Sequence, residues 1–312
     1  MRARADLALE DACPRPERPL KAPFASAAKA LFAIPGGPAV DFARPVGEPA
    51  LAAPDSVSWR VFKNPVALFV GGITAVLLEL AEPRVRTGVW AHSSFRADPL
   101  TRLKRTGLAA MVTVYGARSV AETMIAGIGR QHARVGGVTP GGEPYQALDV
   151  ALLDWVQATA SFGFLTAYHA LVRPLSPADR DQFYAEAAPA ARLYGALGAP
   201  RSEAEWEAQL AAMLPRLERS PIVLEFLDLM RGTPIAGPLS GLQPPLIRAA
   251  VGLVPPEVRE VLGLGADWLP RPLELRLIRA AARWADRAAI PGAPPWEACV
   301  RMGLPGDWLY RR

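Results

Sequence analysis

Residues 145–171 read YQALDVALLDWVQATASFGFLTAYHAL, Tyr145 to Leu171. Apolar side chains fall on most sides of a 3.6-residue wheel, and the alternation of period two that marks a half-buried strand is missing. Such a stretch forms a helix of 146–171 that must be surrounded, so it is expected at the centre of the fold. From Val61 onward the remaining chain carries the same helical periodicity almost without interruption, and strand-like alternation is scarce. The sequence therefore predicts an all-α protein.

Several helices announce their own starts. Ser176-Pro177-Ala178-Asp179, Ser202-Glu203-Ala204-Glu205 and Ser220-Pro221 each place a serine before a proline or an acid. Its hydroxyl accepts from the first free backbone amides, so helices are expected to begin near 177, 203 and 221. Periodicity adds helices at 65–81, 99–115, 118–134, 240–254 and 270–287. The most apolar run, PVALFVGGITAVLL, covers 14 residues from Pro65 to Leu78 and stops at Glu79. That is short of the roughly 20 residues of a membrane span and reads as a buried helix, with peripheral membrane contact left open.

Two ends differ from this body. Residues 1–55 are rich in proline, alanine and glycine and form a leader that wraps the body or stays loose, whereas 56–312 form one helical domain with no linker-like stretch in its middle. The tail GAPPWEACVRMGLPGDWLYRR holds two tryptophans and is expected to pack across the helices.

Composition removes several function classes. The 51% hydrophobic and 21% charged content fits a packed globular chain, and 312 residues can bury a substantial core. Net charge is +5, yet the 35 basic residues include four lysines, Lys21, Lys29, Lys63 and Lys104, and the arginines are spread along the chain. A nucleic-acid footprint would show a basic stripe with interleaved aromatics, so no nucleic-acid partner is expected, although anionic partners remain open. Cys13 and Cys299 are the only cysteines, which excludes a disulfide framework and a thiolate zinc site and points to a reducing, cytoplasmic setting. The first 20 residues lack the apolar core of a signal peptide. No nucleophile elbow, phosphate loop, dinucleotide fingerprint or HExxH is present.

Three histidines carry the remaining interest. On the helix 118–134, Ala121, Ile125, Ile128 and His132 follow steps of three or four and share one stripe, so His132 faces inward at the end of an apolar face. A lone imidazole there serves either as an axial ligand to a haem iron, which needs fewer protein ligands than a bare metal, or as a buried histidine satisfied by a carbonyl or carboxylate. Arg102, Thr106, Ala109 and Thr113 share a stripe on the helix 99–115; the guanidinium and hydroxyl hold a carboxylate, steer a bound oxygen species, or form a solvated basic face. His92 is expected to cap or fix a loop, and His169, near the end of the long helix, to complement the helix dipole when protonated. Gln157 reaches a polar ligand or is satisfied locally, and Cys299 is assigned to the core.

Taken in order, the segments NPVALFVGGITAVLLELAEPRV, AHSSFRADPLTRLKRT, GRQHARVGGVTPGGEPYQALD, LLDWVQATASFGFLTAY, LSPADRDQFYAE and GLPGDWLYRR resemble the MpaB-type oxygenases, a family related to the catalytic domain of latex-clearing rubber oxygenases. The resemblance runs from about Val61 to the C-terminus. It implies a single helical domain enclosing a haem b pocket, a histidine as proximal iron ligand, and dioxygen used to cleave carbon–carbon double bonds of isoprenoid chains. Within it, the HAxV segment puts the ligand on His132, while Arg102 and Thr106 match an arginine–threonine pair about thirty residues upstream. Arg105 stands where the pattern carries a lysine, and with Gln157 it is placed about the cofactor. Many relatives read WVHAT where this chain has Trp155-Val156-Gln157-Ala158-Thr159, a departure that bears on activity. The expectation is a haem b-dependent oxygenase acting with dioxygen on an apolar, isoprenoid or unsaturated lipid-like substrate. The alternatives are a non-catalytic haem-binding sensor or carrier, and a cofactor-free helical protein that binds an apolar ligand.

Overall fold

The computed structural model describes residues 40–233 and 241–311. Thirteen α-helices occur among the described residues, with one two-stranded hairpin. In chain order they are α1 (Val57–Phe62), α2 (Pro65–Ala81), α3 (Pro83–His92), α4 (Pro99–Tyr115), α5 (Arg118–His132), the strands β1 (Gly136–Val138) and β2 (Pro144–Gln146), then α6 (Val150–Leu171), α7 (Pro177–Tyr194), α8 (Glu203–Met213), α9 (Pro221–Gly232), α10 (Gln243–Leu253), α11 (Pro256–Leu262), α12 (Pro272–Ala285) and α13 (Pro294–Arg301).

The core is built on α2 and α6, which make the most extensive helix pairing in the molecule. What brings them together is the absence of side chains at the crossing. A Cβ on Gly71 would sit 2.6 Å from the carbonyl oxygen of Gly163, and one on Gly163 would collide with that of Gly71. Backbone therefore rests on backbone, and the larger side chains above and below interlock. Around this pair, α10 and α12 pack on α2, while α7 and α8 pack on α6. Thr74 of α2 donates to its own Val70 carbonyl and reaches the Ala250 carbonyl of α10, each at 3.0 Å, which ties that neighbour in place. By length and composition α6 could cross a membrane; in this fold it is the central helix, with Trp155, Ala158, Ala167 and Tyr168 fully enclosed.

The caps read from the sequence form as expected. Ser176 accepts from Asp179 N and Asp179 returns a bond to Ser176 in a complete capping box, and Ser202 and Ser220 cap α8 and α9. The structure also differs from the sequence reading at several places. The long helix begins at Val150, because Asp149 caps it by accepting from Ala151 N and residues 144–146 pair with 136–138 instead. In that hairpin Gly136 faces Gln146 and Gly137 faces Tyr145, whose ring is buried beneath Gly88. Four short helices, α1, α3, α11 and α13, carried too few turns to show a period. The helix expected at 240–254 is seen from Gln243, and its first expected residue lies outside the described residues.

Of the leader, residues 1–39 with Cys13 lie outside the described residues, and residues 40–55 cross the body. Arg301, fully buried in α13, donates through Nη1 to the Phe42 carbonyl at 2.6 Å and through Nε to the Glu48 carbonyl at 2.9 Å, and its own carbonyl accepts from Gly47 N. Glu48 in turn accepts from Ser119 N and Oγ, and Pro49 O accepts from Arg118 N at the start of α5. The tail packs as expected: Lys63, itself buried, donates to Leu309 O at 3.0 Å, and Cys299 is enclosed.

Candidate cofactor site

α5 begins where Arg118 N donates to Pro49 O of the strap formed by residues 40–55, and runs on along Ala121 and Ile125, both buried. Ile128 and His132 continue the same stripe at half-buried positions. The His132 imidazole makes no hydrogen bond to any described residue. Burial first, and the nearby charge of Arg102 second, hold its pKa below the ordinary histidine value. The ring is thus neutral, with a lone pair to give.

Arg102 comes from α4, whose start is fixed by Asp98 accepting from Thr101 N at 3.1 Å and by Pro99 in the first turn. One turn on, at an exposed position, Thr106 Oγ1 accepts from Arg102 Nη1 at 2.8 Å and donates to the Arg102 carbonyl at 3.0 Å, while Arg102 itself is half-buried. The guanidinium lies 5.9 Å from the centre of the Phe95 ring, which is itself buried. Its Nε is buried and has no acceptor. A desolvated cation with an unmet donor is costly to keep, and the natural remedy is an acceptor from outside the chain, a carboxylate above all.

A third element closes the group. Glu79, the acid that ends the apolar run of α2, is desolvated to a pKa of about 7, with Arg102 pulling in the opposite direction. Its carboxyl makes no hydrogen bond or ion pair with the described residues, although it feels the Arg102 charge. In the sequence this residue is marked only as the single acid of LLEL, near the end of an otherwise apolar helix. Arg102 is therefore the hub, coupled electrostatically to Glu79 of α2 and His132 of α5, and by hydrogen bond to Thr106 of its own helix.

The other sequence candidates fall elsewhere. Arg105 is exposed on the outer side of α4, where its charge acts on Arg102 and Asp98. Gln157 is half-buried and donates to Ser161 Oγ at 3.4 Å one turn along α6, with no hydrogen bond joining it to the Arg102 group. His92 is the exposed last residue of α3. His169 corrects its expectation: Nδ1 accepts from Leu175 N at 3.0 Å, and burial lowers its pKa, so it caps the loop after α6 as a neutral ring instead of meeting the helix dipole as a cation. The Cys299 thiol is pushed up to about 11 by burial, an inert core group.

The donor set bears on which cofactor fits. Among the described residues no three of His, Cys, Asp and Glu gather as a bare metal ion would require. One neutral, unbonded imidazole beside a desolvated guanidinium with a free donor suits a group that brings most of its own iron ligands and its own carboxylates. Haem b is a group of that kind, and His132 and Arg102 supply the donor types it needs.

Residues 59–308 match the model of the family described as ER-bound oxygenase mpaB/B'/Rubber oxygenase, catalytic domain. No curated protein and no solved structure matches the chain.

Proposed function

The chain belongs to the MpaB/rubber oxygenase catalytic-domain family, and on that premise we propose that it is a haem b-dependent oxygenase acting with dioxygen on an apolar, isoprenoid or unsaturated lipid-like substrate. The observation that carries this reading is the unbonded, neutral imidazole of His132 beside the desolvated Arg102, whose Nε has no acceptor. When bound, haem b supplies a redox-active iron at which dioxygen is activated toward an alkene. His132 would hold the iron through a ring nitrogen that its lowered pKa leaves unprotonated. Arg102 binds an anionic group, and Thr106 fixes the rotamer in which it does so. The buried Phe95 ring lies beside the guanidinium and favours its positive charge. Glu79, with a pKa of about 7, keeps or releases a proton at its carboxyl near neutral pH.

A haem-binding protein without oxygenase chemistry is the second reading. It is favoured by Gln157, which stands where many relatives carry histidine and is engaged with Ser161. One set of measurements separates them. Protein produced with ample iron and haem precursor should show a Soret band that shifts with dithionite and carbon monoxide, and His132→Ala should lose stoichiometric haem with its helical content intact. Full haem occupancy and an unchanged spectrum in that variant would place the ligand elsewhere. Carbonyl products from an aerobic polyisoprenoid or unsaturated lipid incubation support the oxygenase; haem without turnover supports the second reading.

A further inference from the structure

α12 presents two faces of opposite character. Ile278, Ala282 and Ala285 are buried against α2, α6 and α10. On the other side Leu273, Leu277 and Trp284 are 66%, 62% and 60% exposed. Their spacings of four and seven residues put all three on one stripe, about 17 Å long at 1.5 Å per residue. Along one flank of the stripe run Arg276, Arg283 and Arg287, all exposed, with Arg283 Nε also donating to the Val172 carbonyl at 3.2 Å. Arg276 and Arg287 make no ion pair with the described residues. The acids of this helix region are occupied elsewhere: Glu274 holds Arg248 through both its oxygens, and Asp286 is engaged by Lys63, Asn64 and Tyr168. The outer face is thus apolar and cationic, with no free carboxylate.

We infer that this face of α12, Leu273, Leu277 and Trp284 with their arginine flank, docks on an anionic lipid membrane surface. A second copy of the chain is the poorer occupant, because two such faces brought together would set arginine rows near one another with no acid between them. A membrane answers both halves of the face. The apolar stripe enters the headgroup and acyl boundary, where a tryptophan ring is well placed, and the arginines stay at the level of the lipid phosphates and carboxylates. The stripe is a single narrow line on a convex helix, which a fluid surface can accommodate.

The full chain should co-sediment with vesicles of equal parts phosphatidylcholine and phosphatidylserine, weakly or not at all with pure phosphatidylcholine, and less at high sodium chloride. Leu277→Ser with Trp284→Ser, and separately Arg276→Glu with Arg287→Glu, should each weaken vesicle binding by about tenfold or more. All four positions are exposed, so the thermal midpoint should not move. Brominated phosphatidylcholine in the anionic vesicles should quench a tryptophan component that Trp284→Phe removes. The inference is overturned if the wild-type chain ignores anionic vesicles, if both double variants bind them as the wild type does, if the chain is a dimer that the Trp284 variant dissociates, or if it binds polyglutamate and not vesicles.

Discussion

Replacing Glu79 with glutamine removes one titrating group from a half-buried position and leaves its shape, so it isolates the cost of desolvating that carboxyl. Burial raises its pKa from 4.5 to about 7 in the folded protein. At 1.36 kcal/mol per unit this corresponds to about 3 kcal/mol of stability. The sign follows from which state holds the proton. Between 4.5 and 7 the unfolded chain has released it while the folded chain retains it, so this contribution is full below the lower value, declines as pH rises, and is gone above the upper one. His132 and His169, whose pKa values are lowered, act oppositely and cost stability as pH falls below about 6.5. Only the difference between wild type and Glu79→Gln cancels them. Urea unfolding of both proteins, prepared identically, at pH values from about 5 to 8 should show the variant gaining on the wild type by about 2 to 3 kcal/mol across that interval, with most of the change before pH 7. A difference that stays constant with pH would mean that Glu79 is solvated in the folded protein, and the interior group around Arg102 would have to be redrawn.

Gly163→Ala should destabilise by about 1 to 3 kcal/mol or more, because its methyl meets the Gly71 carbonyl, whereas Gly72→Ala, whose nearest neighbour would be a Phe164 ring atom at 3.8 Å, should be neutral or mildly stabilising by thermal melt. Thr106→Ala should retain haem and slow oxygen-dependent turnover by about fivefold, since Arg102 Nη1 loses an acceptor worth about 1 kcal/mol; turnover at the parent rate would make this stripe a solvated face. Arg301→Met should cost about 2 to 4 kcal/mol for two lost charged hydrogen bonds and speed hydrogen exchange across residues 42–50, while exchange elsewhere changes little. His169→Ala should keep the haem spectrum and lose about 1 kcal/mol, the worth of its bond from Leu175 N.

The long helices were legible because their burial pattern repeats over many turns, and their starts because serine caps act through immediate neighbours. α2 and α4 begin and end where periodicity put them, at 65–81 and 99–115. α1, α3, α11 and α13 are only 6 to 10 residues long and owe their form to what they pack against, which leaves little local trace. The same division runs through the candidate site. The one-turn step from Arg102 to Thr106 is a local fact of helix geometry, and the hydrogen bond follows from it. That Glu79 of α2 feels the charge of Arg102 of α4 depends on where the fold sets two helices separate in sequence, a tertiary relation invisible to any window of sequence. His169 shows the limit in the other direction: its place near a helix end was legible, but the backbone amide of Leu175 that claims its lone pair comes from the turn beyond.

The clasp at Arg301 joins residues 253 and 259 positions apart, and the Lys63–Leu309 bond spans 246. On a ribosome the strap and first helix emerge long before their partners, so throughout most of synthesis the carbonyls of Phe42 and Glu48 and the ammonium of Lys63 must be served by water. Closing so large a loop adds little entropic cost over a shorter one, but it cannot begin until α13 and the tail have left the exit tunnel. The α2–α6 pair, complete by residue 171, can assemble well before that. The nascent chain is thereby given an order of events: a glycine-seated helix pair first, and the sealing of its N-terminal edge last.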